Sequence, residues 1–173
     1  MCSLFWKDQL QRKLSALSAP ERAHSVAVIG MGNELYGDDA VGLEVVRALK
    51  PVVAQNPSTL IIEAGLAPEN CLGQILCFNP GLVIFVDAAQ MDEVPGTIRW
   101  LERDSMAGTG FSTHTLSAAL LLQFLSSEIG CDTAVIGIQP AQNQLQVPIS
   151  TPVQEAVREV ASGLEKLLAE ASQ

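Results

Sequence analysis

The chain has 173 residues, about one domain at roughly 150 residues per domain, and is 48% hydrophobic with 17% charged residues. That composition excludes intrinsic disorder and supplies a core without a disulfide scaffold. Ten Lys and Arg against nineteen Asp and Glu leave a net charge of −9, and the mean hydropathy is +0.27. The few basic residues form no cluster, so nucleic acid and anionic membrane surfaces are excluded as partners.

In chain order, Leu4, Phe5, Leu10, Leu14 and Leu17 recur at helical spacing, so residues 3–17 read as an amphipathic helix. Ser18-Ala19-Pro20 breaks it. Such a stripe either docks on the domain or binds a partner, and docking is the simpler expectation because exposed apolar stripes are normally covered. Residues 1–24 therefore form an N-terminal helical extension and 25–173 a single α/β domain. Lys7, Asp8, Arg12 and Lys13 stand where a signal peptide needs an apolar run, and no apolar run reaches the roughly 18 residues of a membrane span. A cytoplasmic monomer is expected. Cys2, Cys71, Cys77 and Cys131 form no C-x-x-C pair and read as buried free thiols.

From Ser25 onward the pattern changes. Ser25–Gly30, Thr59–Ala64, Leu82–Ala88 and Thr133–Ile138 are short apolar runs rich in Val and Ile. Such runs suit strands buried on both faces of a parallel sheet. Helical patterns separate them at Asp38–Leu49, Pro68–Phe78, His114–Leu125 (through Leu116, Leu120, Leu121 and Phe124) and Thr151–Leu168. Pro95-Gly96 before Thr97–Leu101 suggests a turn into an extra strand, of the kind that runs antiparallel at a sheet edge. There is no internal repeat or low-complexity tract. Alternating strands and helices predict a three-layer α/β fold, a mostly parallel twisted sheet flanked by helices.

Ligands of such sheets bind beyond the carboxyl ends of the strands. There the sequence places Gly30-Met31-Gly32-Asn33 with Asp38-Asp39, then Gly65 to Asn70, Asp87 and, before a helix, His114. The glycines invite a dinucleotide-binding reading, but Leu35 occupies the position where the fingerprint needs a small residue, and the paired acids would repel a pyrophosphate. Asp39, Asp87 and His114 together offer two carboxylates and one imidazole on one rim. That set suits a borderline divalent ion such as zinc or nickel, with coordination positions left open. Each also has a structural reading: helix capping for Asp38 and Asp39, an Asx turn for Asp87, a helix start for His114. No G-x-S-x-G or H-E-x-x-H motif occurs.

The chain resembles the hydrogenase maturation endopeptidases, in particular the type that processes the large subunit of the formate-linked hydrogenase (hydrogenase 3). The matching residues are Gly30-x-Gly32-Asn33-x-Leu35-x-x-Asp38-Asp39-x-x-Gly42, Gly65-x-Ala67-Pro68-Glu69-Asn70 and Val86-Asp87-Ala88. Pro95-Gly96, Thr113-His114, Gly137-Ile138-Gln139-Pro140 and Thr151-Pro152 extend the match over about residues 25–165. Ala40 stands where many members have Gly, and so does Ala64. The resemblance implies removal of a C-terminal extension from the large-subunit precursor of nickel–iron hydrogenase after nickel insertion, with the bound nickel as the recognition feature. It implies Asp39, Asp87 and His114 as metal-contacting residues, nickel supplied by the substrate, and zinc or cadmium as substitutes. Asp38 and Asp39 are then the candidate catalytic carboxylates, with Asp38 either a general base or a helix cap. Asn33, Gly65, Pro68 and Glu69 are expected to shape the substrate cleft. A non-catalytic nickel-handling assembly chaperone shares the same three ligands, and a Rossmann-like nucleotide module is the more distant alternative.

Overall fold

The computed structural model describes residues 3–17, 25–101, 110–111 and 115–171. The elements in chain order are α1 (Ser3–Ala16), β1 (Val26–Met31), α2 (Val41–Val53), β2 (Thr59–Gly65), α3 (Leu72–Phe78), β3 (Leu82–Gln90), β4 (Ile98–Leu101), β5 (Gly110–Phe111), α4 (Thr115–Glu128), β6 (Asp132–Ile138) and α5 (Thr151–Ala171). Short 3-10 turns, Gly37–Ala40 and Pro68–Cys71, lead into α2 and α3. The strands lie in the order β2-β1-β3-β6-β4, with the two-residue β5 paired to β3. β2, β1, β3 and β6 run parallel, and β4 runs antiparallel to β6 at the edge, as Pro95-Gly96 predicts. In that turn Thr97 N–H donates to the Val94 carbonyl, and Gly96 takes φ +85°, open to glycine at no steric cost.

Strand alternation builds two cores. Val26, Val28, Leu82, Ile84, Val86, Ala134 and Ile136 meet α2 and α5 on one face, through Val45, Val46, Leu49, Val160 and Leu164. Ala27, Ile29, Met31, Val83, Phe85 and Val135 meet α3 and α4 on the other, through Ile75, Leu121, Leu122 and Leu125. The sheet is therefore apolar on both sides, which is why its strands read as near-continuous runs rather than as alternations.

Helix α1 docks as the stripe predicts: Leu10 is fully buried and Leu14 and Leu17 pack against the same core, with Trp6 rather than Phe5 as the buried aromatic. Trp6 and Leu10 are fully buried in the α2–α5 core while Phe5 is 54% exposed. A step of four residues returns to the same helix face and a neighbouring residue does not. Trp6 lies against Gly163 of α5, where an added Cβ would come within 2.6 Å of the indole. Helix α4 likewise buries Leu121, Leu122 and Leu125 and leaves Leu120 and Phe124 exposed. Its sequence is apolar on most sides, so periodicity alone does not choose the buried face. Cys71 and Cys131 are buried free thiols, and Cys77, expected to be buried, is exposed on α3. No helix among the described residues is long and apolar enough to cross a membrane.

One contact sets the distance between α2 and the strands that carry the acidic residues. A Cβ at Gly42 would lie 2.1 Å from the Val86 carbonyl oxygen and 2.4 Å from that of Met31. A Cβ at Gly30 would lie 2.3 Å from the Gly42 carbonyl oxygen. These obstacles are backbone, so no rotamer change relieves them. Gly42→Ala is expected to lower the urea midpoint at unchanged m-value, a loss of at least about 2 kcal/mol. A loss under about 0.5 kcal/mol would show that this approach is not tight.

Candidate active site at the strand switch point

Chain order reverses across the sheet between β1 and β3: β2 follows β1 on one side, and β3 begins the other side. The crevice at the carboxyl ends of such a pair is where open α/β sheets bind ligands. Both strands deliver acids there. β1 ends at Met31, and the loop from Gly32 carries Asp38 and Asp39 into the turn before α2. On β3, Val83, Phe85 and Asp87 fall on one face by the two-residue period, so Asp87 prolongs the side covered by α3 and α4. Asp38, Asp39 and Asp87 are 0%, 5% and 1% exposed, and with Gln139 they are the buried polar residues of the described chain.

The three carboxylates differ in what they touch. Asp38 accepts four hydrogen bonds: Oδ2 from Ala141 N–H at 2.7 Å, Gln142 N–H at 3.0 Å and the Ser150 hydroxyl at 2.9 Å, and Oδ1 from Ser150 N–H at 2.6 Å. None of these is a cap on its own turn, so the capping expectation for Asp38 is corrected: its carboxylate is spent on a loop more than a hundred residues away. Asp39 Oδ2 accepts from Asn33 N–H at 2.9 Å, and Asp39 O accepts from the same N–H at 3.3 Å. Gly32, at φ +123°, allows that closure, because a Cβ there would fall 1.8 Å from Asp39 O. Asp87 Oδ1 accepts from Ala88 N–H at 2.9 Å, while Oδ2 is buried and meets no hydrogen-bond donor among the described residues. Burial, with the neighbouring Asp39 charge second, pushes the Asp87 carboxyl up to about 8, against the lowering pull of the Ala88 amide.

Asn33 therefore holds the acidic loop, its own Oδ1 accepting from Leu35 N–H at 3.0 Å. Gly65, at φ +60°, accepts from Gly32 N–H at 3.0 Å and stitches the loop after β2 to the loop after β1. Pro68 is buried at the start of its turn and Glu69 is exposed beside it. His114 lies outside the described residues, as do Ser112 and Thr113. Sequence reasoning missed Gln139 and Ser150 as site-building residues. The buried Gln139 side chain accepts from Met91 N–H at 2.7 Å and donates to Gln90 Oε1 and Pro140 O at 3.1 Å, locking the end of β3 to the end of β6. Its place between an apolar strand and Pro140 is the one signal for it.

The glycines of Gly30-Met31-Gly32 serve close backbone packing, and the turn after them brings Asp39 to the crevice. A phosphate finds no welcome there. A divalent cation does fit: a buried carboxyl oxygen without a donor sits beside a second buried carboxylate, and hard-to-borderline cations are bound by such oxygens.

Comparison with known proteins shows the family. A family model described as hydrogenase maturation protease matches residues 43–168, a span that includes Asp87 and begins after Asp39. The hydrogenase 3 maturation protease of Escherichia coli K12 is 32% identical over 136 residues, 78% of this chain and 85% of that protein. A putative hydrogenase maturation protease of Methanocaldococcus jannaschii is 31% identical over 121 residues, 66% of this chain and 72% of its own. The crystal structure of a nickel–iron hydrogenase maturation protease from Thermococcus kodakarensis superposes with a TM-score of 0.82 at 29% identity, covering 93% of this chain and 99% of that one.

A carboxyl raised in the fold keeps its proton where the unfolded chain releases it. The resulting penalty is absent below about pH 4 and grows as pH rises toward the folded value of about 8. Asp87→Asn removes it. In chelator-treated protein this substitution is expected to stabilise the fold by roughly 1–3 kcal/mol at pH 8 and by much less at pH 5, measured by urea unfolding. Equal or destabilising effects at both pH values would show that Asp87 is not held at a desolvation cost.

Proposed function

The chain belongs to the hydrogenase maturation protease family, and from that premise we propose that it removes a C-terminal extension from the large-subunit precursor of a nickel–iron hydrogenase once nickel is in place. In this reading the nickel comes with the substrate and is what the protease recognises. The observation that carries the reading is the buried Oδ2 of Asp87, without a donor among the described residues, beside Asp39 at the switch point. Asp39 and Asp87 would supply two oxygens and His114 a nitrogen, and the precursor's own ligands would complete the coordination. Zinc or cadmium would occupy the same donors.

The chain's own residues do the holding. Asn33 N–H orients Asp39, and Ala88 N–H orients Asp87, so each carboxylate has one oxygen fixed by a backbone amide. Burial keeps water from competing for the second oxygen of Asp87 and strengthens its attraction for a cation. The pair thereby selects loaded precursor over unloaded precursor, since only the ion can take the place of the proton that the buried Asp87 carboxyl otherwise keeps. The bound ion would act as a Lewis acid on the scissile carbonyl. The loop bearing Gly65, Pro68 and Glu69 walls the cleft and sets where the polypeptide lies.

Intact mass of nickel-loaded and nickel-free precursor, before and after incubation with the protein, tests this reading. Loss of a C-terminal peptide from the loaded form alone is expected. Asp39→Ala and His114→Ala are expected to slow that loss by at least about 100-fold while keeping the far-UV circular dichroism of the parent. Processing retained by both variants would remove the metal-docking role. A stable complex with uncut precursor would make the protein an assembly chaperone instead.

A further inference from the structure

Residues 141–150 contain no helix or strand, yet they are not loosely attached. The segment leaves β6 beside the end of β3 and returns to α5 after Ser150. Between these points it is held from the acidic loop: by the four hydrogen bonds to Asp38, by Gln146 N–H donating to Leu35 O at 2.7 Å, and by Asp38 N–H donating to Gln142 O at 3.4 Å. Both oxygens of Asp38 are engaged in this, and the residue is fully buried. A general base needs a lone pair free for the proton it removes, and here Oδ2 already accepts three hydrogen bonds and Oδ1 one, from amides and a hydroxyl. The clamp joins two loops that expose apolar side chains: Leu35 and Tyr36 from one are 54% and 39% exposed, and Leu145 from the other is 55% exposed. Leu35 and Tyr36 precede the buried Asp38 and Asp39 in the chain, and Gln146, next to Leu145, is hydrogen-bonded to Leu35.

We propose that Asp38 is a positioning residue that clamps residues 141–150 to the acidic loop, so that Leu35, Tyr36 and Leu145 form one apolar lip gripping the substrate polypeptide beside the metal-docking carboxylates. This deepens the protease reading and rests on it. The occupant is a polypeptide with apolar side chains next to the cut bond, because Asp39 N–H donates to the Tyr36 carbonyl at 3.0 Å and so ties the lip to the metal-docking loop. Asp38 then acts on binding through the loop, and Asp39 and Asp87 act on the metal.

The test separates binding from chemistry. Asp38→Asn, which puts an amide hydrogen against backbone N–H donors, and the milder Ser150→Ala are both expected to raise KM for nickel-loaded precursor about tenfold with a much smaller effect on kcat. Both should also speed hydrogen exchange at the Gln142 and Ser150 amides at least about tenfold. Leu145→Ser is expected to raise KM similarly with parental exchange rates. A collapse of kcat in Asp38→Asn with KM and exchange unchanged would place Asp38 at the reacting atoms and overturn the proposal, as would parental KM in all three variants. If the parent protein cuts no precursor, the protease reading fails by that result alone. Exchange in the Asp38 and Ser150 variants still decides whether the clamp exists.

Discussion

Asp87 is the one ionisable side chain in β3, and the two-residue period that buries Val83 and Phe85 buries it as well. A carboxyl in that position has lost its water, and among the described residues only the Ala88 amide answers one of its oxygens. Its neighbour Asp39 adds repulsion rather than relief. A pair of this kind is costly in an empty protein, and a cation would relieve it, which is the basis of the metal-docking proposal. Everything nearby serves that point. Gly42 brings α2 onto the strands that carry the acids, Gly32 closes the loop onto Asp39, and Gln139 pins the end of β3 from β6.

Adjacent residues of one chemical type do different work here because the backbone turns between them. Asp38 points into a ring of amide and hydroxyl donors from residues 141–150, and Asp39 points to the Asn33 amide at the crevice. The first is a carboxylate whose two oxygens both accept hydrogen bonds, four in all, which tie it to residues 141–150. The second shares its surroundings with a carboxyl that has an oxygen to spare. The two neighbouring acids thus differ in the donors they meet.

Much of this was legible in the residues themselves. Runs such as Leu82–Ala88 announce strands buried on both faces, and once the sheet is parallel the carboxyl-end rule gathers Asp39 and Asp87 without any alignment. The edge strand after Pro95-Gly96 was equally plain, because the turn demands a glycine at positive φ. The partners of Asp38 were hidden. Ser150 lies 112 residues away, and no local pattern encodes a contact of that separation. The choice of Trp6 over Phe5, and of Leu122 and Leu125 over Leu120 and Phe124, was also hidden, because helices rich in apolar residues on several sides leave the buried face to tertiary packing. His114 entered from its residue type and its place before a helix, and it lies outside the described residues.

The central claim is that the buried carboxylates at the β1–β3 switch point are a metal-docking site, and anomalous diffraction from crystals soaked in cadmium tests it most directly. The account predicts an anomalous peak within coordination distance, about 2.0–2.6 Å, of Asp87 Oδ2 and an Asp39 oxygen, and its absence from crystals of Asp87→Asn. Cadmium found only on exposed carboxylates such as the Glu63 and Glu69 side chains, with the crevice empty at saturating metal, would contradict it.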